Sequence, residues 1–137
     1  MSSVLWFVAV GVACAAGSWV AFERKWRRRA GLLAERRANL DQSGFVATLA
    51  DSADADVAEW LWDELLVYWQ PNLTPHPDDD FVRDLPIDPE EPNDWLDRFC
   101  TSQGLEQKTF PDWPHGEETT VRNLAAWFSN GRRAPAA

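Results

Sequence analysis

His76 stands two residues before the run Asp78-Asp79-Asp80, and His115 stands two residues before Glu117-Glu118. Imidazole with carboxylates suits a divalent cation, and a histidine beside carboxylates can act as a general acid or base. The first run lacks the glycine and the ligand spacing of a calcium loop, so a solvated loop is the expectation there. His115 has no nucleophile beside it. Cys100 follows Leu96 at helical spacing and reads as a small core residue. Cys14 lies in an apolar segment, poorly placed to pair with it, and the lack of a disulfide framework fits a reducing compartment. Two histidines and one candidate thiol assemble no known nucleophile and base arrangement. The expectation is therefore a binding module and not an enzyme, with no metal site and no cofactor.

Charge is distributed unevenly along the 137 residues. Residues 1–50 carry seven Lys/Arg against three Asp/Glu, a net +4, and residues 51–137 carry six against nineteen, a net −13. A phosphate backbone would repel the second part, which argues against nucleic acid as a partner. A protein with a basic surface is the better electrostatic match.

Val4 to Phe22 is nineteen residues without a charge, about 28 Å of helix against a hydrocarbon core of about 30 Å. Trp19, Phe22 and Trp26 gather at its end, where aromatic rings favour the interface. Arg24, Lys25, Arg27, Arg28 and Arg29 follow, and no Lys or Arg precedes. The positive-inside rule then places the N-terminus outside and the rest in the cytoplasm of a bacterial-type inner membrane, as a single-pass protein. The basic run also suits anionic headgroups, so the membrane-interface set is Trp19, Arg24, Lys25, Trp26, Arg27, Arg28 and Arg29. Ala13-Cys14-Ala15 imitates a signal-peptide cleavage or lipoprotein site, but Met1-Ser2-Ser3 supplies no basic n-region. Gly11/Ala15 and Ala13/Gly17 have the spacing of close helix packing, which leaves the oligomeric state open.

The chain divides into an anchor (1–29), a partly helical connector (30–52), an acidic helical domain (53–131) and a tail (132–137). The anchor helix is expected to run on toward Asp41, with Gly44 interrupting it. In the domain, Asp54 or Asp56 caps a helix on which Val57, Trp60, Leu61, Leu65 and Tyr68 recur at helical spacing, widened by Trp62, Leu66 and Trp69. Gln70-Pro71 ends it. A proline-rich loop covers 71–89. A second helix starts near Asp88 or Pro89, with Asp88-x-x-Glu91 at capping-box spacing and Gly104 as the C′ residue. Trp95, Leu96, Phe99 and Cys100 form its apolar face, and Glu90, Asp94 and Asp97 line another with Glu91 beside them. A last helix starts at Thr119 or Thr120, buries Val121, Leu124, Ala125 and Phe128, and is expected to end at Asn130-Gly131. No strand pair is evident, so the fold class is all-α.

Phe81-Val82-Arg83-Asp84-Leu85-Pro86-Ile87-Asp88 before a helix resembles the loop that precedes helix II of acyl carrier proteins, and Thr119-Thr120-Val121 resembles the start of their last helix. The order of elements over 55–131 is similar as well. The resemblance implies a small acyl-carrier-like bundle with long loops behind the transmembrane helix. It also implies a recognition surface on the acidic second helix, read by Arg and Lys of a partner, so Glu90, Glu91, Asp94 and Asp97 are the partner-binding candidates. Pro89 occupies the position where that family carries its phosphopantetheine serine, and it has no hydroxyl to modify. The chain is thus similar to carrier-like proteins that lack the serine, and no cofactor is implied.

Two functional readings follow. One is a membrane-anchored, non-catalytic protein-interaction module docking a basic partner at the cytoplasmic membrane face. The other, motivated by size and charge, is a membrane-tethered immunity protein that neutralises a toxin.

Overall fold

A computed structural model describes residues 2–85 and 87–134, with side chains from Phe7 onward. Trp6, Pro86 and the tail beyond Ala134 lie outside the described residues or side chains. Among the described residues there are five α-helices and no strand: α1 (Ser2–Arg36), α2 (Gln42–Thr48), α3 (Ala55–Trp69), α4 (Glu91–Gln103) and α5 (Val121–Arg133), with a 3-10 turn at Gln107–Thr109.

α1 has 35 residues, about 52 Å of helix, well beyond what a bilayer core of about 30 Å needs. Its stretch from Phe7 to Phe22 is exposed throughout, and the helix is long and apolar enough to cross a membrane, with a mean hydropathy of 1.3 over its apolar window. A signal sequence meets the same measures of length and apolarity. The excess length enters the globular part: Trp26 packs against the core, and Ala30 and Leu33 are buried in it.

The helix stops at Arg36, short of Asp41. Asp41 instead caps the separate helix α2, its carboxylate accepting the Gly44 N–H at 2.7 Å. Gly44 therefore sits in the first turn of a new helix. A Cβ there would lie 2.9 Å from that same carboxylate oxygen, so glycine leaves room for the cap. Phe45 of α2 and Leu49 just after it are fully buried, Phe45 against Trp62 at 5.4 Å. The 30–52 segment thus belongs to the same core as the acidic domain.

α3 forms as its pattern predicts and buries Val57, Ala58, Leu61, Trp62, Leu65 and Trp69. It ends at Gln70, which is extended before Pro71 because the proline ring crowds a helical preceding residue. α4 contributes Trp95, Leu96, Phe99 and Cys100, and closes on Gly104 at φ 67°, a left-handed turn that favours glycine. Thr120 caps α5 by accepting the Asn123 N–H at 3.2 Å. The centre of the core is aromatic: Phe99 stacks on Phe128 at 4.5 Å, and Trp60 and Phe110 meet that pair edge-on, the offset and T-shaped geometries that ring quadrupoles prefer.

Two expectations are corrected. α5 runs through Gly131 to Arg133, because Gly131 is a packing site and not a terminator: a Cβ on it would fall 2.1 Å from Phe110 Cζ. The capping box at Asp88 and Glu91 does not form. Asp88 accepts the Glu90 N–H at 2.9 Å while Glu91 turns to Tyr68, so Glu90 becomes the cap residue.

Candidate functional site

The Asp78-Asp79-Asp80 run is a hub of ion pairs and hydrogen bonds, not the solvated loop its composition suggests. Asp79 is buried and accepts three N–H groups: Arg37 Nε at 2.9 Å, Arg37 Nη2 at 2.6 Å and Trp69 Nε1 at 2.8 Å. Asp78 takes Arg122, and Asp84 takes Arg36. Asp80 accepts the Val82 and Arg83 amides and the Thr119 hydroxyl. Burial pushes the Asp80 carboxyl up, and these hydrogen bonds outweigh it, so the group lies below the ordinary carboxylate value. Backbone bonds complete the hub, with the Phe81 N–H donating to Thr119 O and the Val121 N–H to Asp79 O. The loop therefore joins the end of α1, the end of α3 and the start of α5.

His76 lies half-buried beside this hub, accepting the Asp78 N–H on Nδ1 at 3.1 Å. Burial, and then the Arg37 charge, hold its imidazole below the ordinary value, which favours the neutral ring. Among the described residues, no group of three His, Cys, Asp or Glu side chains is placed to hold a metal ion. The aspartates here have arginine partners instead. His115, Glu117 and Glu118 are all exposed on the loop before α5. Cys100 is buried, and burial followed by the nearby Asp97 charge raises its thiol, the opposite of a reactive thiolate.

The acidic face of α4 differs from the hub. Glu90, Asp94 and Asp97 are exposed. Among the described residues, none of the three enters an ion pair, whereas Asp54, Asp56, Glu64, Asp78, Asp79, Asp80 and Asp84 all do. Their i, i+4 and i+7 spacing sets them along one side of the helix. Glu91 is distinct: it is half-buried and accepts the Tyr68 hydroxyl at 2.6 Å. Burial, and then this carboxylate, push the Tyr68 phenol up. Asn93, on the same side of the helix as Glu90 and Asp97, borders an apolar cleft of about 200 Å³ with Phe81, Val82, Pro92, Trp113 and Trp127. The sequence contains those residues in four separate places, so only the fold assembles the cleft.

At the other end of the candidate set, Trp19, Arg24, Lys25, Arg27 and Arg28 are exposed on α1, while Trp26 and Arg29 are half-buried against the domain. Trp26 lines one cleft with Pro71 and Leu73 and another with Phe22, Val67, Tyr68 and Glu91. The membrane-interface candidates thus include two that also join α1 to the rest of the fold. Pro89 lies in the turn before α4, two residues ahead of its first helical residue.

Comparison of the chain with protein-family models, with curated proteins and with solved structures found no match.

Proposed function

We propose that this protein is a membrane-anchored, non-catalytic interaction module of acyl-carrier-like architecture. In this reading the α4 face formed by Glu90, Asp94 and Asp97, with Glu91 at its edge, docks a protein with a basic surface at the cytoplasmic membrane face. One observation carries it: Glu90, Asp94 and Asp97 stand exposed along one side of a single helix, and among the described residues none of them is among the acids that enter an ion pair. Unpaired charge of one sign steers a partner of opposite sign and sets its register. The neighbouring apolar cleft offers an anchor point of the kind on which binding energy concentrates.

The order of α3, loop, α4, short turn and α5 is in keeping with the carrier-like reading. Pro89 at the serine position removes the thioester chemistry from it. Single-pass topology with the N-terminus outside rests on the five cations from Arg24 to Arg29 and on none before them.

The test is chemical cross-linking and capture with the full chain in native membranes. Glu90→Lys, Asp94→Lys and Asp97→Lys together should abolish capture of the protein that native chain retains. Glu59→Lys with Asp63→Lys, on exposed positions of α3, should leave it. Equal loss in both would show that only net charge matters, and unchanged capture in the first would remove the docking face.

A further inference from the structure

The lower edge of the domain is tied to the end of the apolar helix at a defined height. Phe22, Trp26, Val67, Tyr68, Ile87 and Glu91 surround one cleft of about 340 Å³. Pro71 and Leu73 meet Glu23, Trp26 and Arg27 on a neighbouring side. The α3 tip and the Ile87 turn therefore descend beside α1 to the level of Phe22 and Glu23. If the uncharged stretch ending at Phe22 fills the hydrocarbon core, that level is the headgroup layer. Val67 is 69% exposed there, and Phe22 beside it is 50% exposed. The apolar surface of the span thus continues onto the domain.

Charge at this level suits a lipid surface. Glu23, which pairs with Arg27, and Asp88, Glu90 and Glu91 contribute four carboxylates, against the five cations Arg24, Lys25, Arg27, Arg28 and Arg29 on the adjoining turns of α1. The balance is positive, in a protein whose remainder is strongly acidic, and basic side chains near an anionic surface attract it.

We propose that the tip of α3, from Val67 to Pro71, together with Ile87, rests in the phospholipid headgroup layer, so that the domain sits edge-on upon the bilayer with no free linker. This rests on the reading of α1 as a membrane span and extends it to the domain's own surface. Val82 supplies an internal contrast. It is 57% exposed, but the adjacent Arg83 and Asp84 border α1 between Arg29 and Arg36, roughly 10–20 Å further from the membrane along the helix.

The experiment uses the full chain in vesicles of phosphatidylcholine and phosphatidylglycerol, with a fluorophore on one thiol. In the native chain the probe goes on Cys14, which is exposed on α1, while Cys100 is buried. Two further proteins carry it at position 67 or 82, through Cys14→Ser with Val67→Cys or with Val82→Cys. Quenching by headgroup-labelled lipid is compared with quenching by aqueous iodide. Position 67 should show a several-fold higher lipid-to-iodide quenching ratio than position 82. Equal ratios at 67 and 82, with position 14 protected from iodide, would overturn the lipid contact and leave the span intact. Iodide reaching position 14 freely would overturn the span itself. Protection of 67 from both quenchers would place a protein surface there, a second copy included, and also overturn the proposal.

Discussion

Removing Arg37 should cost the fold several kcal/mol, out of proportion to one charged residue at the end of a helix. Its guanidinium and the Asp79 carboxylate are joined by two hydrogen bonds of 2.9 and 2.6 Å, and their side chains are only 10% and 3% exposed. With charge centres about 4 Å apart, an effective dielectric near 20 gives an attraction of about 4 kcal/mol. Arg37→Ala leaves Asp79 buried, with Trp69 Nε1 as its remaining donor, and breaking such a pair from one side costs about 3–5 kcal/mol. The same change strips a donor from Thr74 O and one from the Asn39 side chain. Asp79→Asn should cost a similar amount, because its amide group would point N–H toward guanidinium or indole N–H. Replacing both members, Arg37→Met with Asp79→Leu, removes both charges and leaves the Trp69 N–H as the main orphan, worth about 1–3 kcal/mol. The double variant should thus lie well below the sum of the singles. The assay is urea unfolding of the full chain in detergent micelles, followed by tryptophan fluorescence. A total stability of about 5–15 kcal/mol makes a loss of this size plain in the midpoint. A cost below about 1 kcal/mol for Arg37→Ala would place the pair in the class of exposed salt bridges and refute its role in fastening α1 to the domain.

Acid should weaken the fold before the carboxylates titrate. His76 has a native pKa below its ordinary 6.5, so the unfolded chain binds more protons between the two values and stability falls as pH drops through that window. His76→Gln should flatten the urea midpoint between pH 7.5 and 5.5, and an unchanged slope would exclude His76 as the source. Asp54 and Asp56, lowered chiefly by the Arg132 hydrogen bonds, act in a separate window below their ordinary 3.8. At Gly131, alanine would ordinarily stabilise a helix by up to about 1 kcal/mol. Here its Cβ meets the Phe110 ring at 2.1 Å, and overpacking of this kind costs about 1–3 kcal/mol. Gly131→Ala should therefore lower the melting temperature, and Phe110→Leu in the same chain should recover part of the loss. A variant as stable as the native chain would show that the ring has room to move.

The parts legible in the sequence are those set by near neighbours. The α3 stripe, the apolar side of α4, Gly104 as its C′ residue and Thr120 as a cap all depend on residues within a turn or two, and each stands where the pattern places it. What escaped depends on partners far along the chain. Three consecutive aspartates read as solvated because a charge run usually is, while the arginine that buries Asp79 lies 42 residues earlier. Gly131 after Asn130 has the form of a helix stop, and only Phe110, brought against it by the fold, explains its place inside α5. The connector read as a link because its apolar residues are mixed with charged and polar ones and Gly44 breaks the helical pattern. Phe45 and Leu49 become core residues only once α2 lies against α3.

Within the proposed reading, these non-local contacts bear on how a docking module would be held at a membrane. A tethered domain on a flexible linker samples many orientations, and its partner can approach from any side. Here α1 enters the core through Ala30 and Leu33, and Arg37 holds its end through Asp79, so orientation is set by packing. Glu91 borders the same cleft as Phe22 and Trp26, which holds the first turn of α4 at the height where the apolar span ends. In the proposed reading, a protein docked on the α4 face would stand close to the bilayer, with its own cations drawn to anionic lipid as well as to the helix. The acidic face would then compete with the bilayer for a partner already at the surface. That arrangement favours a membrane protein, or a peripheral one released from lipid by the domain, over a protein captured from bulk solution.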